Sequence, residues 1–181
     1  MQGPEAIIQF WFVEHGRDDW FGGQPAFDAA LAARFADLHA EIARGEAWAW
    51  RRTPQGRLAE IVALDQFSRQ LHRGRPAAFA QDKMALVLAQ EAIAAKADEA
   101  VERAWAAFFY LPFMHAESLL LQDEGIKLFE RLGDPGSLEF MRAHRETIAR
   151  FGRFPFRNAA LGRQSTPEEV AYMKAQGDRV F

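Results

Sequence analysis

Apolar residues recur at helical spacing along nearly the whole chain, and no segment alternates in the manner of a convincing strand. Glycines, prolines and capping residues divide this pattern into segments. The pattern predicts helices over residues 4–13, 25–44, 53–73, 76–96, 98–111, 113–132 and 137–150, and a last helix that begins at Thr166. The residue types at 53, 98, 137 and 166 predict that Thr53, Asp98, Ser137 and Thr166 cap their helices. Residues 7–13 and 108–113 are apolar enough to be ambiguous between helix and strand.

Short turns separate the predicted helices, and this favours antiparallel neighbours stacked as helical hairpins. We therefore expect an all-α fold. The chain has 181 residues, of which 49% are hydrophobic, and this suits one compact domain. Because no linker divides the sequence, we expect a single all-helical domain over residues 1–181.

The charge balance argues against a general nucleic-acid binder. The formal net charge is −3 and the isoelectric point is about 6.0, whereas such binders carry a basic excess. The absence of cysteine excludes thiol nucleophiles, disulfides and thiolate metal ligands. The N-terminus has no basic segment leading into a long apolar run, and the longest apolar run, residues 104–114, is too short to span a bilayer. We expect a cytoplasmic protein with no membrane partner.

The predicted helix over residues 53–73 carries ionisable groups on an apolar stripe. At helical spacing, Leu58 and Ile61 are followed on the same stripe by Asp65, Arg69 and His72. A second apolar stripe on the opposite side consists of Leu64, Phe67 and Leu71. The helix should be buried on both sides, with Asp65 and Arg69 close enough to pair at i and i+4. Two interpretations stay open: a structural ion pair, or a polar cavity faced by these groups.

Two histidines are candidates for chemistry. His144 lies in the middle of an apolar stripe, where a histidine is usually a core residue with one nitrogen satisfied. His115 and Glu117 flank the entry of the predicted helix over residues 113–132, where the helix dipole by itself explains a carboxylate. Their spacing fits no zinc pattern, so a metal site built from Asp65, His115, Glu117 and His144 is disfavoured. No nucleotide-binding or nucleophile-turn motif is present, and we expect no cofactor.

Positive charge is concentrated near the C-terminal end. The sequence of residues 150–158 is RFGRFPFRN, and Gly162 and Arg163 follow shortly after. One interpretation pairs the arginines with acidic faces of neighbouring helices and stacks them on phenylalanine rings. The other is a pocket in which several guanidinium groups hold an anion. Interleaved Phe and Arg could also suggest single-stranded nucleic acid, but the acidic isoelectric point argues against it.

Several motifs occur in an order that resembles a known family. They cover residues 8–12, 64–69, 79–82, 109–117, 150–155 and 161–163, and together they resemble the bacterial family called domain of unknown function 924. The resemblance implies a tetratricopeptide-like superhelix of about seven or eight antiparallel helices, and no established reaction. The positions that match its motifs are Asp65, Arg69, His115, Glu117, Arg150, Arg153, Arg157, Asn158 and Arg163.

The chain also departs from the motifs of that family. Phe156 stands where the family usually has histidine, Ser68 where proline is common, and Ala116 where serine is common. Any mechanism that requires an imidazole at position 156 could not operate in this protein.

Three hypotheses for function follow. In the first, a polar site binds an anionic small molecule or a peptide carboxylate; its residues are Arg69, His144, Arg150, Arg153, Arg157, Asn158 and Arg163. In the second, a hydrolase or lyase uses His115 as general acid and base, with Asp65 or Glu117 orienting it. In the third, the protein is an interaction scaffold whose arginines are consumed by internal salt bridges.

Overall fold

The computed structural model describes residues 2–21 and 23–177, and within these residues there is no strand. The α-helices are α1 Pro4–Ile8, α2 Arg17–Phe21, α3 Pro25–Ala43, α4 Pro54–Val62, α5 Ser68–Leu71, α6 Asp82–Ala94, α7 Arg103–Met114, α8 Leu119–Leu132, α9 Pro135–Phe151 and α10 Pro167–Gln176. Two π-helical segments cover Gln9–Glu14 and Ala63–Phe67. Short 3-10 helices cover Trp48–Arg52, Pro76–Phe79, Ala97–Glu99 and Pro155–Arg157. The predicted all-α fold is confirmed, and the superhelical arrangement stays a prediction.

Local sequence explains most of the helix ends. The Thr53 hydroxyl accepts a hydrogen bond from the Gly56 N–H and so caps α4. Thr166 and Glu169 form the reciprocal capping box at the start of α10. Gly133 and Gly152 end α8 and α9 with φ of 73° and 70°, a conformation that glycine adopts without steric cost.

Two of the four predicted caps, Thr53 and Thr166, are confirmed, and the other two are wrong. The cap of α9 is Asp134, whose carboxylate accepts from the Ser137 N–H, and Ser137 lies inside the helix. Asp98 lies in a 3-10 helix and accepts a hydrogen bond from the Tyr110 hydroxyl instead of capping α7. In both cases more than one residue near the helix start could serve as cap, and the helix begins where its apolar face can pack.

The predicted break before Pro112 is also wrong. α7 continues through Pro112 and ends at Met114. Pro112 lies in the last turn, where its fixed φ suits a helix that needs only two more residues. Residues 115–118 then form a connecting turn, and α8 begins at Leu119. His115 and Glu117 therefore lie in a turn before α8, so the dipole of a helix does not account for Glu117.

The chain divides into two compact units, which we call unit 1 and unit 2. Unit 1 consists of the residues up to Arg73 together with Ala77–Pro112, and unit 2 consists of Gly74–Pro76 and the residues after Pro112. The prediction of one domain over the chain stays a prediction. None of the helices in the described residues is long and apolar enough to cross a membrane.

Each unit has its own apolar core. In unit 1 the π-helical segment of Trp11 packs on that of Phe67, with the two ring centroids 5.5 Å apart, and Trp20 stacks on Trp11 at 5.4 Å. In unit 2 α8 packs closely on α9, because a side chain on Gly125 would lie 2.8 Å from the Met141 sulfur. This close packing sets the position of the turn that precedes α8.

Candidate functional site

The two candidate histidines lie close together in unit 2. The ring centroids of His115 and His144 are 6.4 Å apart. The Nδ1–H of His144 donates to the Phe140 carbonyl at 2.8 Å, and the His144 residue is only 6% exposed. The expectation of a core histidine with one satisfied nitrogen is therefore confirmed. The same bond fixes the tautomer, because the neutral ring then presents Nε2 as an acceptor.

One phenylalanine ring links His144 to an arginine. Phe154 is fully buried, and its ring contacts His144 in an edge-on geometry with centroids 5.5 Å apart. The Arg157 guanidinium lies over the same ring at 4.5 Å, and Arg157 is 6% exposed. We call His115, His144, Phe154 and Arg157 the imidazole–guanidinium cluster. The turn after Gly152 and the 3-10 helix that begins at Pro155 place Arg157 inward.

A carboxylate ties the turn between α7 and α8 to this segment. Glu117 accepts from the Phe154 N–H at 2.8 Å and from two nitrogens of Arg163 at 2.7 and 2.9 Å. Partial burial opposes ionisation of Glu117, but the hydrogen bonds from Arg163 and Phe154 outweigh it and lower its pKa. Glu117 is therefore an ionised anchor between His115 and Phe154.

A second carboxylate holds the other polar residues of the segment. Two Arg153 nitrogens donate to Glu169 at 2.7 and 2.9 Å, and the Asn158 side-chain amide donates to Glu169 at 3.1 Å. Asn158 also accepts from Arg163 Nε at 2.9 Å. The hydrogen bonds from Arg153 are the largest cause that lowers the pKa of Glu169 to about 2. Arg150 pairs with Glu168 at the surface. Arg150, Arg153 and Arg163 therefore each hold a glutamate, as the scaffold hypothesis predicted.

Phe156, which stands in the place of the histidine common in the family, makes a different contact. Its ring is 6.3 Å from that of Tyr172 on α10. The Tyr172 hydroxyl is hydrogen-bonded to Thr147 of α9 at 2.9 Å. In this chain the position contributes to packing near α10.

Two predicted site residues, Asp65 and Arg69, lie in unit 1. Asp65 is 1% exposed, within a π-helical segment, and its carboxylate is 3.1 Å from the Arg69 guanidinium. The predicted i, i+4 pair is confirmed. Arg69 also donates to both Asp82 oxygens, at 2.9 and 3.1 Å, and Gln66 donates to Asp65 at 2.6 Å. The predicted burial on both sides is confirmed too, because every residue from Ile61 to Ser68 is buried.

Changing Asp65 to asparagine is expected to lower the free energy of unfolding by about 2 kcal/mol. Removing one partner of a buried pair costs about 3–5 kcal/mol, but Arg69 retains Asp82 and the new amide oxygen still accepts. Urea unfolding measures the change. The matched control is Asp28→Asn, whose partner Arg73 is 53% exposed, and it should cost less than about 1 kcal/mol. Equal effects of the two substitutions would contradict the structural role of Asp65.

Sequence reasoning overlooked some polar residues that the structure brings to these networks. They are Gln66 and Asp82 in unit 1, and Gln122 in unit 2. The burial of Gln122 could have been predicted from the sequence. Gln122 continues a stripe of α8 that includes Gly125, Phe129 and Leu132, all of which are buried. A glutamine on such a stripe must find hydrogen-bond partners inside the protein.

Two further features of the described residues give no support to a site at the predicted residues. In the part of the chain that the structure describes, no group of three or more His, Asp or Glu side chains could hold a metal ion. A cavity of about 240 Å³ in unit 1 is lined by Pro4, Glu5, Ile8, Gln9, Thr53 and Gln55, none of which is a predicted site residue.

Comparison with known proteins agrees with the motifs. Residues 7–177 match a family of bacterial proteins of unknown function, DUF924. A solved structure of a protein of unknown function from Agrobacterium tumefaciens is similar, with a TM-score of 0.91 and 39% identity over 95% of this chain and 97% of that chain. No curated protein matches. The similarity in fold places the chain among all-helical bacterial proteins. It belongs to the DUF924 family, as its ordered motifs indicated.

Proposed function

We propose that unit 2 binds a small anion, either a phosphate or the carboxylate of a small molecule or peptide, at the imidazole–guanidinium cluster. The observation that carries this proposal is the position of Arg157, which is nearly buried over the Phe154 ring that an oriented His144 also contacts. A guanidinium offers a planar fork of donors that fits phosphate and carboxylate groups. Both imidazoles add positive charge when they are protonated, and His144 then also has an Nε2–H to donate, because its Nδ1–H is engaged by the Phe140 carbonyl.

Ion pairs of neighbouring residues support the cluster. Arg150 pairs with Glu168, Arg153 with Glu169 and Arg163 with Glu117. The ion pairs of Arg153 and Arg163 give the cluster a rigid frame, which suits a preorganised binding site. We assign Arg153, Asn158 and Arg163 to this frame and Arg157, His144 and His115 to the contact with the anion, and Arg150 lies outside the site in its surface pair with Glu168.

The other hypotheses remain predictions. Catalysis by His115 with Asp65 or Glu117 as its orienting group would need a carboxylate at hydrogen-bond distance from the ring. Glu117 is already engaged by Arg163 and by the Phe154 N–H. An interaction scaffold agrees with the ion pairs of Arg150, Arg153 and Arg163, and it needs no anion site in unit 2.

Inorganic phosphate is expected to raise the melting temperature of the protein and to shift the NMR signals of His115 and His144. At one hundred times its dissociation constant, the anion should add about 2.7 kcal/mol to the free energy of unfolding. Arg157→Gln should abolish both effects. Arg150→Gln is the matched control, because Arg150 is 51% exposed and should leave phosphate binding unchanged.

Two results would overturn the anion site. One is a wild-type protein whose histidine signals and melting temperature do not respond to phosphate, sulfate or small dicarboxylates. The other is an Arg157→Gln protein that folds and responds as the wild type does. Should Arg157→Gln not fold, His144→Gln gives the same comparison, because its amide cannot reproduce a protonated imidazole.

A further inference from the structure

A buried glutamine holds the backbone on both sides of His115. Gln122 lies in the second turn of α8 and has no exposed surface. Its side-chain Nε2 is 2.7 Å from the Met114 carbonyl oxygen, 2.8 Å from that of Ala116 and 3.3 Å from that of Phe113. Met114 and Ala116 immediately precede and follow His115, and Phe113 lies one position before Met114.

The end of α7 needs such a donor. The last carbonyls of a helix have no partner within the helix and must be satisfied by water, by a following turn or by a side chain. In this turn the Ala116 N–H donates to the Phe113 carbonyl at 3.2 Å. The Gln122 amide adds donors from outside the turn, so the path of residues 113–116 depends on a side chain of the next helix.

The orientation of the Gln122 amide is set by this contact. Turning the amide over would place its oxygen against three carbonyl oxygens, which repel it, so Nε2 must face them. The Oε1 atom is buried and has no hydrogen-bond partner among the described residues. A buried acceptor without a donor is unfavourable, and few occur in native proteins. This unfavourable acceptor is the consequence of directing the two amide N–H donors of Gln122 at the turn that carries His115.

We propose that Gln122 is the positioning residue of the anion site, holding the His115 turn against α8 so that the His115 ring stays beside His144. The role of Gln122 in binding rests on the anion site proposed above. Its role in placing His115 does not, because that follows from the three carbonyl contacts alone. Glu117 anchors the other end of the same turn through Phe154 and Arg163, so the turn that carries His115 is held from both sides.

The test uses Gln122→Met, which keeps the volume of the side chain and removes its donors, together with Gln122→Lys. A lysine ammonium has three donors and is favoured at a helix C-terminus, so it should restore the contact with the three carbonyls. NMR spectra of the His115 ring and of the amides of residues 115–117 should change in Gln122→Met and return towards the wild type in Gln122→Lys. Phosphate affinity should fall about tenfold in Gln122→Met, which corresponds to about 1.4 kcal/mol.

Phe129→Leu provides the control, because Phe129 is fully buried in the same helix and its loss lowers stability without touching the turn. This variant should keep the His115 signals and the phosphate affinity of the wild type. If the NMR signals of His115 and the titration of the histidines in Gln122→Met are the same as in the wild type, the positioning role is overturned. If Gln122→Met changes the His115 signals but the wild-type protein does not bind phosphate, the positioning role is retained and the anion site is rejected. If Gln122→Met does not fold, Gln122→Asn gives the same readout, because its shorter amide cannot reach the carbonyls.

Discussion

Replacing Glu169 by alanine is expected to lower the free energy of unfolding by about 3 kcal/mol. Glu169 is 2% exposed and accepts hydrogen bonds from Arg153, from the Asn158 side chain and from the Thr166 N–H. Hydrogen bonds to charged groups contribute about 1.5–3 kcal/mol, and loss of a helix cap costs about 0.5–2 kcal/mol. The sum is reduced because Arg153 is 29% exposed and can be rehydrated. Urea unfolding followed by circular dichroism measures the change.

The neighbouring Glu168 is a matched control for this substitution. Glu168 is 62% exposed and its partner Arg150 is 51% exposed. Glu168→Ala should therefore cost less than about 1 kcal/mol, as exposed ion pairs usually do. Comparable losses in the two variants would show that burial of Glu169 does not strengthen its interactions.

The pKa of Glu169 gives this prediction a pH dependence. The folded protein lowers that pKa from 4.5 to about 2, first through the hydrogen bonds from Arg153. The carboxylate therefore stabilises the folded state above pH 4.5, and this stabilisation is lost as the pH falls from 4.5 to 2. The difference in unfolding free energy between wild type and Glu169→Gln should shrink over that window. A difference that does not depend on pH would contradict the lowered pKa.

Acidification from pH 7 to pH 5 is expected to destabilise the protein by about 2 kcal/mol through His39. His39 is 6% exposed, and its Nε2 is 2.8 Å from the Ser68 hydroxyl oxygen. That hydroxyl donates to the Leu64 carbonyl, so the His39 N–H is the donor. Burial, helped by the nearby His72, lowers the pKa of His39 from 6.5 to about 4. A buried imidazole without a counter-charge resists protonation.

The sign of this effect follows from proton binding. Between pH 6.5 and pH 4 the unfolded chain binds a proton at His39 and the folded protein does not, so stability falls as the pH falls through this window. Below pH 4 His39 is protonated in both states, and the loss of stability levels off at about 3 kcal/mol. Most of the pH window for His39 lies above pH 4.5, whereas Glu169 titrates below pH 4.5. Measurements between pH 7 and pH 5 therefore separate the effect of His39 from that of Glu169.

His39→Gln isolates the contribution of His39. The glutamine amide can still donate to the Ser68 hydroxyl, but it does not titrate. The unfolding free energy of this variant should vary less between pH 7 and pH 5 than that of the wild type, by about 2 kcal/mol. Parallel pH profiles for the two proteins would show that His39 is not the group responsible.

Much of the fold could be predicted because helices depend on local patterns. Apolar spacing and capping residues predicted the helices from Pro25, Pro54 and Pro167 close to their observed starts. One error fell on the region around Pro112, where α7 continues through the proline to Met114 although a proline usually breaks a helix. The ambiguous apolar stretch over residues 108–113 is part of the same helix.

The candidate site was predictable only in part. The Asp65–Arg69 pair follows from i, i+4 spacing within one segment, and the structure confirms it. The pairing of Arg163 with Glu117 joins residues that are 46 positions apart, and no local pattern indicates such a contact. The sequence predicted one anion pocket with Arg150, Arg153, Arg157 and Arg163, because residue types alone do not show which arginines find internal carboxylates.

The sequence by itself determined the all-helical class, the membership of DUF924, the capping box of α10 and the pair within the helix that carries Asp65. These depend on residues a few positions apart, or on motifs that can be read in order. The tertiary structure decided that His144 and Arg157 both contact the Phe154 ring, and that the Gln122 amide donates to the carbonyls of the turn that carries His115. Such contacts form only when helices pack, because burial forces each polar group to find its partner among whatever residues the fold places beside it.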